Sequence, residues 1–206
     1  MTQQLNNIIV AFAVATLSMS AFAKTKEAAK TESNVGTYTL DAAHSKVGFE
    51  IPHLVISTVE GRFTKFDGDF EIAKKFTDSK VTANIDINSI DTANADRDKH
   101  LKSADFFDVE KYPKMTFKSK KITGSEKNFK IVGDLTIKDV TKEVTFDGKY
   151  LGNVADAFGN TKAAFTATTK INRQQFNLKW SKLAEAGPVV GDEVTISLKI
   201  QGTKAK

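Results

Sequence analysis

From Tyr38 onward, apolar and polar residues alternate one by one through most of the chain. This pattern limits the fold severely, because successive side chains of a strand point to opposite faces. In 46–51, Val47, Phe49 and Ile51 alternate with Lys46, Gly48 and Glu50. In 80–88, Val81, Ala83, Ile85 and Ile87 alternate with Thr82, Asn84, Asp86 and Asn88. Phe129, Ile131, Gly133, Leu135 and Ile137 share one face, as do Val194, Ile196, Leu198 and Ile200. Segments at 37–41 and 59–72, with others near 114–122, 142–151 and 162–172, bring the series to eight or nine strands. Each has a dry face and a wet face, the mark of antiparallel pairing. A flat sheet of that width would leave a broad apolar face bare and two edges open. The chain has little helix to cover such a face, so the expected solution is a sheet closed on itself. The fold class read from the pattern is all-β: an antiparallel barrel of about eight strands, wide enough inside for packed side chains or one slender ligand.

Three stretches break the period. Residues 91–108 (DTANADRDKHLKSADFFD) are polar, with helical spacing from Leu101 to Phe106, and read as short helical turns in a long connection. Tyr112-Pro113 ends that connection and aims the chain into a strand at Met115. Residues 152–160 (GNVADAFGN) read as a loop, and 174–191, which hold Trp180 and Gly187-Pro188, as an irregular rim.

The N-terminus carries a different signal. An apolar run from Ile8 to Leu17 leads to Ala21-Phe22-Ala23, an A-x-A cleavage pattern, and Lys24 onward is abruptly charged. The run is shorter than the roughly 20 apolar residues of a spanning helix. Residues 1–23 are therefore expected to be a signal peptide cleaved after Ala23, 24–36 a flexible leader, and 37–203 the barrel. The expected location is periplasmic or secreted. Cysteine is absent, which removes disulfides, thiolate nucleophiles and thiolate-bound metals.

The net charge of +5 does not point to nucleic acid, because lysines are spread among acidic residues and Arg occurs only at 62, 97 and 173. His44, His53 and His100 lack any H-x-H or helical i,i+4 spacing that would mark a metal site, so neither metal nor cofactor is expected. A hydrolytic site drawn from His44 or His53, Ser45 and Asp98 has no G-x-S-x-G elbow behind it, and adjacent His44 and Ser45 would face opposite sides of a strand. What stands out is 15 Phe against one Trp and three Tyr. Inward Phe makes an ordinary core or the wall of a pocket for an apolar chain, and composition alone does not separate the two.

A series of motifs resembles the YceI-like family, exported polyisoprenoid-binding proteins with a lipocalin-like barrel. It runs through Tyr38-Thr39-Leu40-Asp41, His44-Ser45, His53, Val59-Glu60-Gly61-Arg62-Phe63 and Phe66-Asp67-Gly68. It is densest at Ser89-Ile90-Asp91-Thr92, Asn94, Arg97-Asp98, His100-Leu101 and Asp105-Phe106-Phe107-Asp108. It continues through Tyr112-Pro113, Phe117, Gly133-Asp134-Leu135-Thr136-Ile137, Val140-Thr141, Gly159, Phe165 and Ile171-Asn172-Arg173-Gln174-Gln175-Phe176. Departures lie in the charged leader and the rim at 178–190.

The resemblance implies an eight-stranded barrel holding a polyisoprenoid, isoprenoid quinone or similar amphiphile, without catalysis. On that reading the pocket is lined by Val47, Phe49, Ile51, Phe63 and Ile85, by Met115, Phe117, Leu135 and Ile137, and by Phe146, Phe165 and Phe176. Phe106, Phe107 and Trp180 add to it from the connections. His44, His53, Arg97, Asp98 and His100 are candidates to greet a polar head group, or to act as latches, with Arg97 and Asp98 pairing to pin the connecting segment. The expected partner is a small-molecule lipid, with transient contact to a membrane or a membrane redox protein, in a monomer or homodimer. Two other readings stay open: a hydrolase using His44, His53 and Asp98, and a stress-protective module whose barrel is solid.

Overall fold

A computed structural model describes residues 34–185 and 187–206. The expected signal peptide, and the leader as far as residue 33, lie outside the described residues. The chain is already tied down at Asn34, whose carbonyl accepts from the Tyr38 hydroxyl at 2.7 Å.

Three of the barrel's staves are each broken once. β1 (Gly36–Leu40) and β2 (Lys46–His53) flank a 3-10 turn at Ala42–His44, and both run antiparallel to the last strand, β13 (Glu193–Lys204). β3 (Ser57–Phe63) pairs with β2 and β4 (Phe66–Ile72) with β1, in registers that differ by only two residues. β5 (Lys80–Asp86) and β6 (Ile90–Asp91) continue one another against β4 and β3. The breaks lie at one level of the wall, where the Ser89 hydroxyl accepts from the Thr64 and Lys65 amides at 3.1 and 2.9 Å and donates to the Asp86 carbonyl at 2.6 Å. That hydroxyl replaces ladder bonds lost at the bend, which is why a buried Ser is tolerated there.

β7 (Lys114–Ser125), β8 (Asn128–Ile137), β9 (Val140–Ala155) and β10 (Thr161–Asn172) follow as long hairpins. Counting each broken pair once gives eight staves. All neighbours are antiparallel, neighbours in space are neighbours in sequence, and β13 closes the ring on β1 and β2. The expected closed antiparallel barrel of eight strands is the observed fold. Register shifts at Ser119/Lys121 and Ala164/Phe165 supply the extra twist that closure requires.

The two ends differ. At one, Tyr38 is fully buried and stacks on Phe70 at 5.0 Å, and Phe76, on a 3-10 turn, covers Phe129 at 5.2 Å. The other end is roofed by the two irregular connections. The first holds α1 (Ala95–Lys102), where the Asn94 side chain accepts from the Arg97 amide, with Asp96 and Asp98 in the first turn and Lys99, His100 and Lys102 in the last. The helix stops before Phe106, which sits in the turns that follow. The second runs through a 3-10 turn (Arg173–Phe176) to a small hairpin, β11 (Leu183–Ala184) with β12 (Gly187–Pro188).

Candidate functional site

Inside the barrel lies a cavity of about 310 Å³. On β13 alone it touches Val194, Ile196, Leu198 and Ile200, so it follows that strand for about 20 Å at ~3.3 Å per residue. The wall is almost wholly apolar because the inward face of every stave is. Val47, Phe49 and Ile51 come from β2, Phe63 from β3, Ile85 from β5, and Met115 and Phe117 from β7. Leu135 and Ile137 come from β8, Phe146 from β9 and Phe165 from β10, while Phe106, Phe107 and Trp180 reach in from the roof. Fourteen of the fifteen expected lining residues thus stand on the cavity wall.

Phe176 does not. It ends the 3-10 turn, Asn177 reverses the chain at φ 58°, and the ring, 1% exposed, belongs to the buried cluster that holds Ile87 and Leu178. Alternation could not place it, because the strand period ends at Asn172.

The expected polar residues divide. His53, Arg97 and His100 line the cavity's roofed end. His44 belongs to the 3-10 turn rather than to a strand, is 65% exposed, and meets Asp41 at 2.9 Å on the outer surface. Asp98 is absent from the wall, since its Oδ1 accepts from the Thr92 amide (3.0 Å) and hydroxyl (2.6 Å). Arg97 and Asp98 do not pair with each other as expected. Arg97 donates from Nε to the Thr92 hydroxyl at 2.8 Å and from Nη2 to the Thr92 carbonyl at 2.7 Å. Both residues therefore hold the connection through Thr92, and Arg97 keeps Nη1 for a further acceptor. His100 bonds Asp105 through Nε2 at 2.9 Å, and its ring meets Phe106 and Trp180 edge-on at 5.1 and 5.3 Å.

Sequence reasoning passed over Arg173. Its side chain is 3% exposed and lines the cavity. Nε donates to the Gly191 carbonyl at 2.7 Å, Nη1 to the carbonyls of Leu178 (2.5 Å) and Trp180 (2.8 Å), and Nη2 to Asp192 at 3.1 Å. Burial pulls its pKa down and Asp192 works the other way; a guanidinium stays charged regardless. This residue latches the second roof segment to the barrel. Its outward signals were its place in the Ile171–Phe176 motif and its being one of three Arg in a lysine-rich chain, at a strand end.

The β2–β3 turn has unusual chemistry. Leu54 and Val55 sit at φ 50° and 67°, a region that hairpins normally fill with Gly or Asn. The Leu54 amide bonds the Val189 carbonyl of the roof at 3.0 Å, and Ile56 projects 88% exposed. Leu183, on the roof's hairpin, is 84% exposed. The roofed end thus offers bare apolar tips beside an apolar cavity.

Among the described residues, the candidates for a hydrolytic site stand apart, and the Ser57 hydroxyl beside His53 donates to the His53 carbonyl at 2.9 Å. His44 bonds Asp41, His53 approaches Ser57 at 3.5 Å, and Asp98 is committed to Thr92. Among the described residues, no three His, Asp or Glu side chains are grouped to hold a metal ion.

The YceI-like domain family matches residues 38–202, nearly the whole barrel. The chain belongs to the YceI-like family. Protein YceI of Escherichia coli is 38% identical over 167 residues, covering 81% of this chain and 85% of that protein. Among solved structures, BcnA of Burkholderia cenocepacia superimposes with a TM-score of 0.70 at 26% identity, covering 79% of this YceI-like chain and 98% of its own. A polyisoprenoid binding domain from Saccharophagus degradans, 14% identical, shares the fold with a TM-score of 0.60, covering 82% of this chain and 98% of its own.

Proposed function

We propose that this YceI-like barrel is a binding protein rather than an enzyme. It holds the tail of a long amphiphilic lipid, a polyisoprenoid or isoprenoid quinone, and carries or stores it in the periplasm. The observation that carries the reading is the cavity itself: about 310 Å³ of apolar space inside the barrel, with His53, Arg97, His100 and Arg173 on its wall at the roofed end. A solid barrel would have no such space. The polyisoprenoid-binding domain that shares the fold supports the ligand class. The expected signal peptide at 1–23 supports the compartment.

The energetics favour a tail-first mode. At ~30 Å³ per water-sized group, the cavity has room for on the order of ten methylenes. At about 0.8 kcal/mol each, that is roughly 8 kcal/mol before the cost of association. The tail therefore supplies the affinity, and polar groups need only orient it. Arg97 Nη1, His53 and His100 stand where a head group would emerge, and a guanidinium fork suits phosphate or carbonyl oxygens. Ile56 and Leu183 would dip into a bilayer while lipid passes through the roof.

Trp180 is the sole Trp and lies on the cavity wall. Titrating an isoprenoid quinone into purified protein is expected to quench its fluorescence saturably. No quenching, together with no retention of quinone or polyprenyl phosphate after gel filtration, would overturn the reading.

A further inference from the structure

The barrel holds a second, smaller space of about 30 Å³ at its closed end. Four residues border both spaces: Phe70, Val81, Ile131 and Phe165. They form the partition between them. Phe70 is on β4 and Phe165 on β10, strands separated in the ring by β1 and β13. Yet their rings meet at 5.2 Å between centroids, edge to face at 89°. Rings from non-adjacent staves touch only by reaching across the lumen, so the pair is a bar, not part of the wall.

The bar is fixed in place. Phe70 is 4% exposed and stacks flat on the fully buried Tyr38. It also lies over Gly202, where an added Cβ would come within 2.4 Å of the ring. Glycine at 202 is therefore what admits the ring to its crossing position. Phe165 is held at the bulge that follows Ala164.

We infer that the Phe70–Phe165 bar is a length stop, setting how many carbons of a bound apolar chain the barrel accepts. This rests on the lipid-binding reading above. A chain entering from the roofed end runs down the main cavity until its tip meets the two rings. Carbons beyond that point must stay outside, where they gain no burial. Affinity should therefore rise with each added unit until the cavity is full and then level off.

The stop can be moved in both directions. Phe165→Ala removes the six ring carbons and joins the two spaces, which makes room for about one further five-carbon isoprene unit. Ala167 also lines the main cavity, on β10 above the bar, so Ala167→Phe fills space on the near side and shortens the accepted chain. Phe165→Leu is a milder opening, should the Ala variant not fold.

The test is a series of isoprenoid alcohols of about ten to about thirty carbons, lengthened one isoprene unit at a time. Each is titrated against the folded wild type and variants in competition with an isoprenoid quinone that quenches Trp180, and displacement restores the fluorescence. The wild type is expected to show a break beyond which added units no longer tighten binding. The break should move one unit longer in Phe165→Ala, in part in Phe165→Leu, and at least one unit shorter in Ala167→Phe. A wild-type break at the same length in all three folded variants would overturn the stop while leaving lipid binding intact. No binding of any alcohol to the wild type would overturn both.

Discussion

Replacing Arg173 by Met tests what holds the roof over the cavity. The side chain makes four hydrogen bonds, three of them to carbonyls of residues 178, 180 and 191 and one to Asp192. Met keeps much of the volume and none of the donors. Loss of a buried charged donor costs ~1.5–3 kcal/mol for each bond whose acceptor finds no new partner. Asp192 is about half exposed and water replaces its bond readily, and the bonds to the Gly191 and Trp180 carbonyls are only partly buried, which leaves the buried Leu178 carbonyl as the main unmet acceptor. The expected loss is therefore about 3 kcal/mol rather than the full sum. At ~3 °C per kcal/mol for a domain of this size, Tm should fall by about 10 °C. Urea unfolding gives the free energy, and hydrogen exchange locates it. The amides of Val189 and Gly191, which bond Lys182 and Pro52 across the roof, should exchange faster relative to the amides of β8. Arg173→Lys should recover little, since an ammonium cannot reach acceptors arranged around a planar fork. A loss under about 1 kcal/mol with unchanged exchange at 189 and 191 would show that the roof is held by its apolar packing and that the latch account is wrong.

Other changes probe the remaining parts. Phe117→Asp places a carboxylate on the cavity wall against Phe146 and should cost at least about 3 kcal/mol or abolish lipid retention. Lys130→Ala, which removes an exposed ion pair with Asp147, should stay within about 1 kcal/mol, so equal losses from the two would invert the assignment of faces. Burial pushes the Tyr150 phenol up to about 12 from 10.0. Its folded pKa is raised, so its contribution is full below pH 10 and is lost as pH climbs toward 12; Tyr150→Phe should flatten that alkaline loss in pH-dependent unfolding. The Asn160 backbone amide, with that residue's side chain and the Phe158 amide, holds Asp156 below 3.8. That depressed group stabilises the β9–β10 loop above pH 3.8 and ceases to as pH falls below it, so Asp156→Asn should lessen acid sensitivity in the same assay. Ile56→Asp with Leu183→Asp should cut co-sedimentation with vesicles at least about fivefold without changing Tm, and undiminished sedimentation would remove these tips from membrane contact.

The alternation of residues such as 193–200 was legible because burial on one face leaves a period of two in the sequence, and it led correctly to closure. The bends were not. A 3-10 turn at Ala42–His44 has no periodic signature, and it moved His44 out of the strand series to the outer surface. Phe176 was misplaced for the same kind of reason, since alternation says nothing once the strand ends. Arg173 was missed because its importance lies in four acceptors, three from residues 5 to 18 positions away on the returning roof, a convergence that only the folded chain displays. The Phe70–Phe165 bar is likewise invisible in sequence. Each ring occupies an ordinary inward position, and only the curvature of the barrel brings them together.

The central claim is that the space inside this barrel belongs to a lipid. Native mass spectrometry of the protein as purified from cells, followed by organic extraction, tests it most directly. The account predicts a bound species that adds the mass of one isoprenoid or other long-chain amphiphile and is released by solvent. A protein that flies at its bare mass, and still does so after incubation with isoprenoid quinones and polyprenyl phosphates, would contradict it.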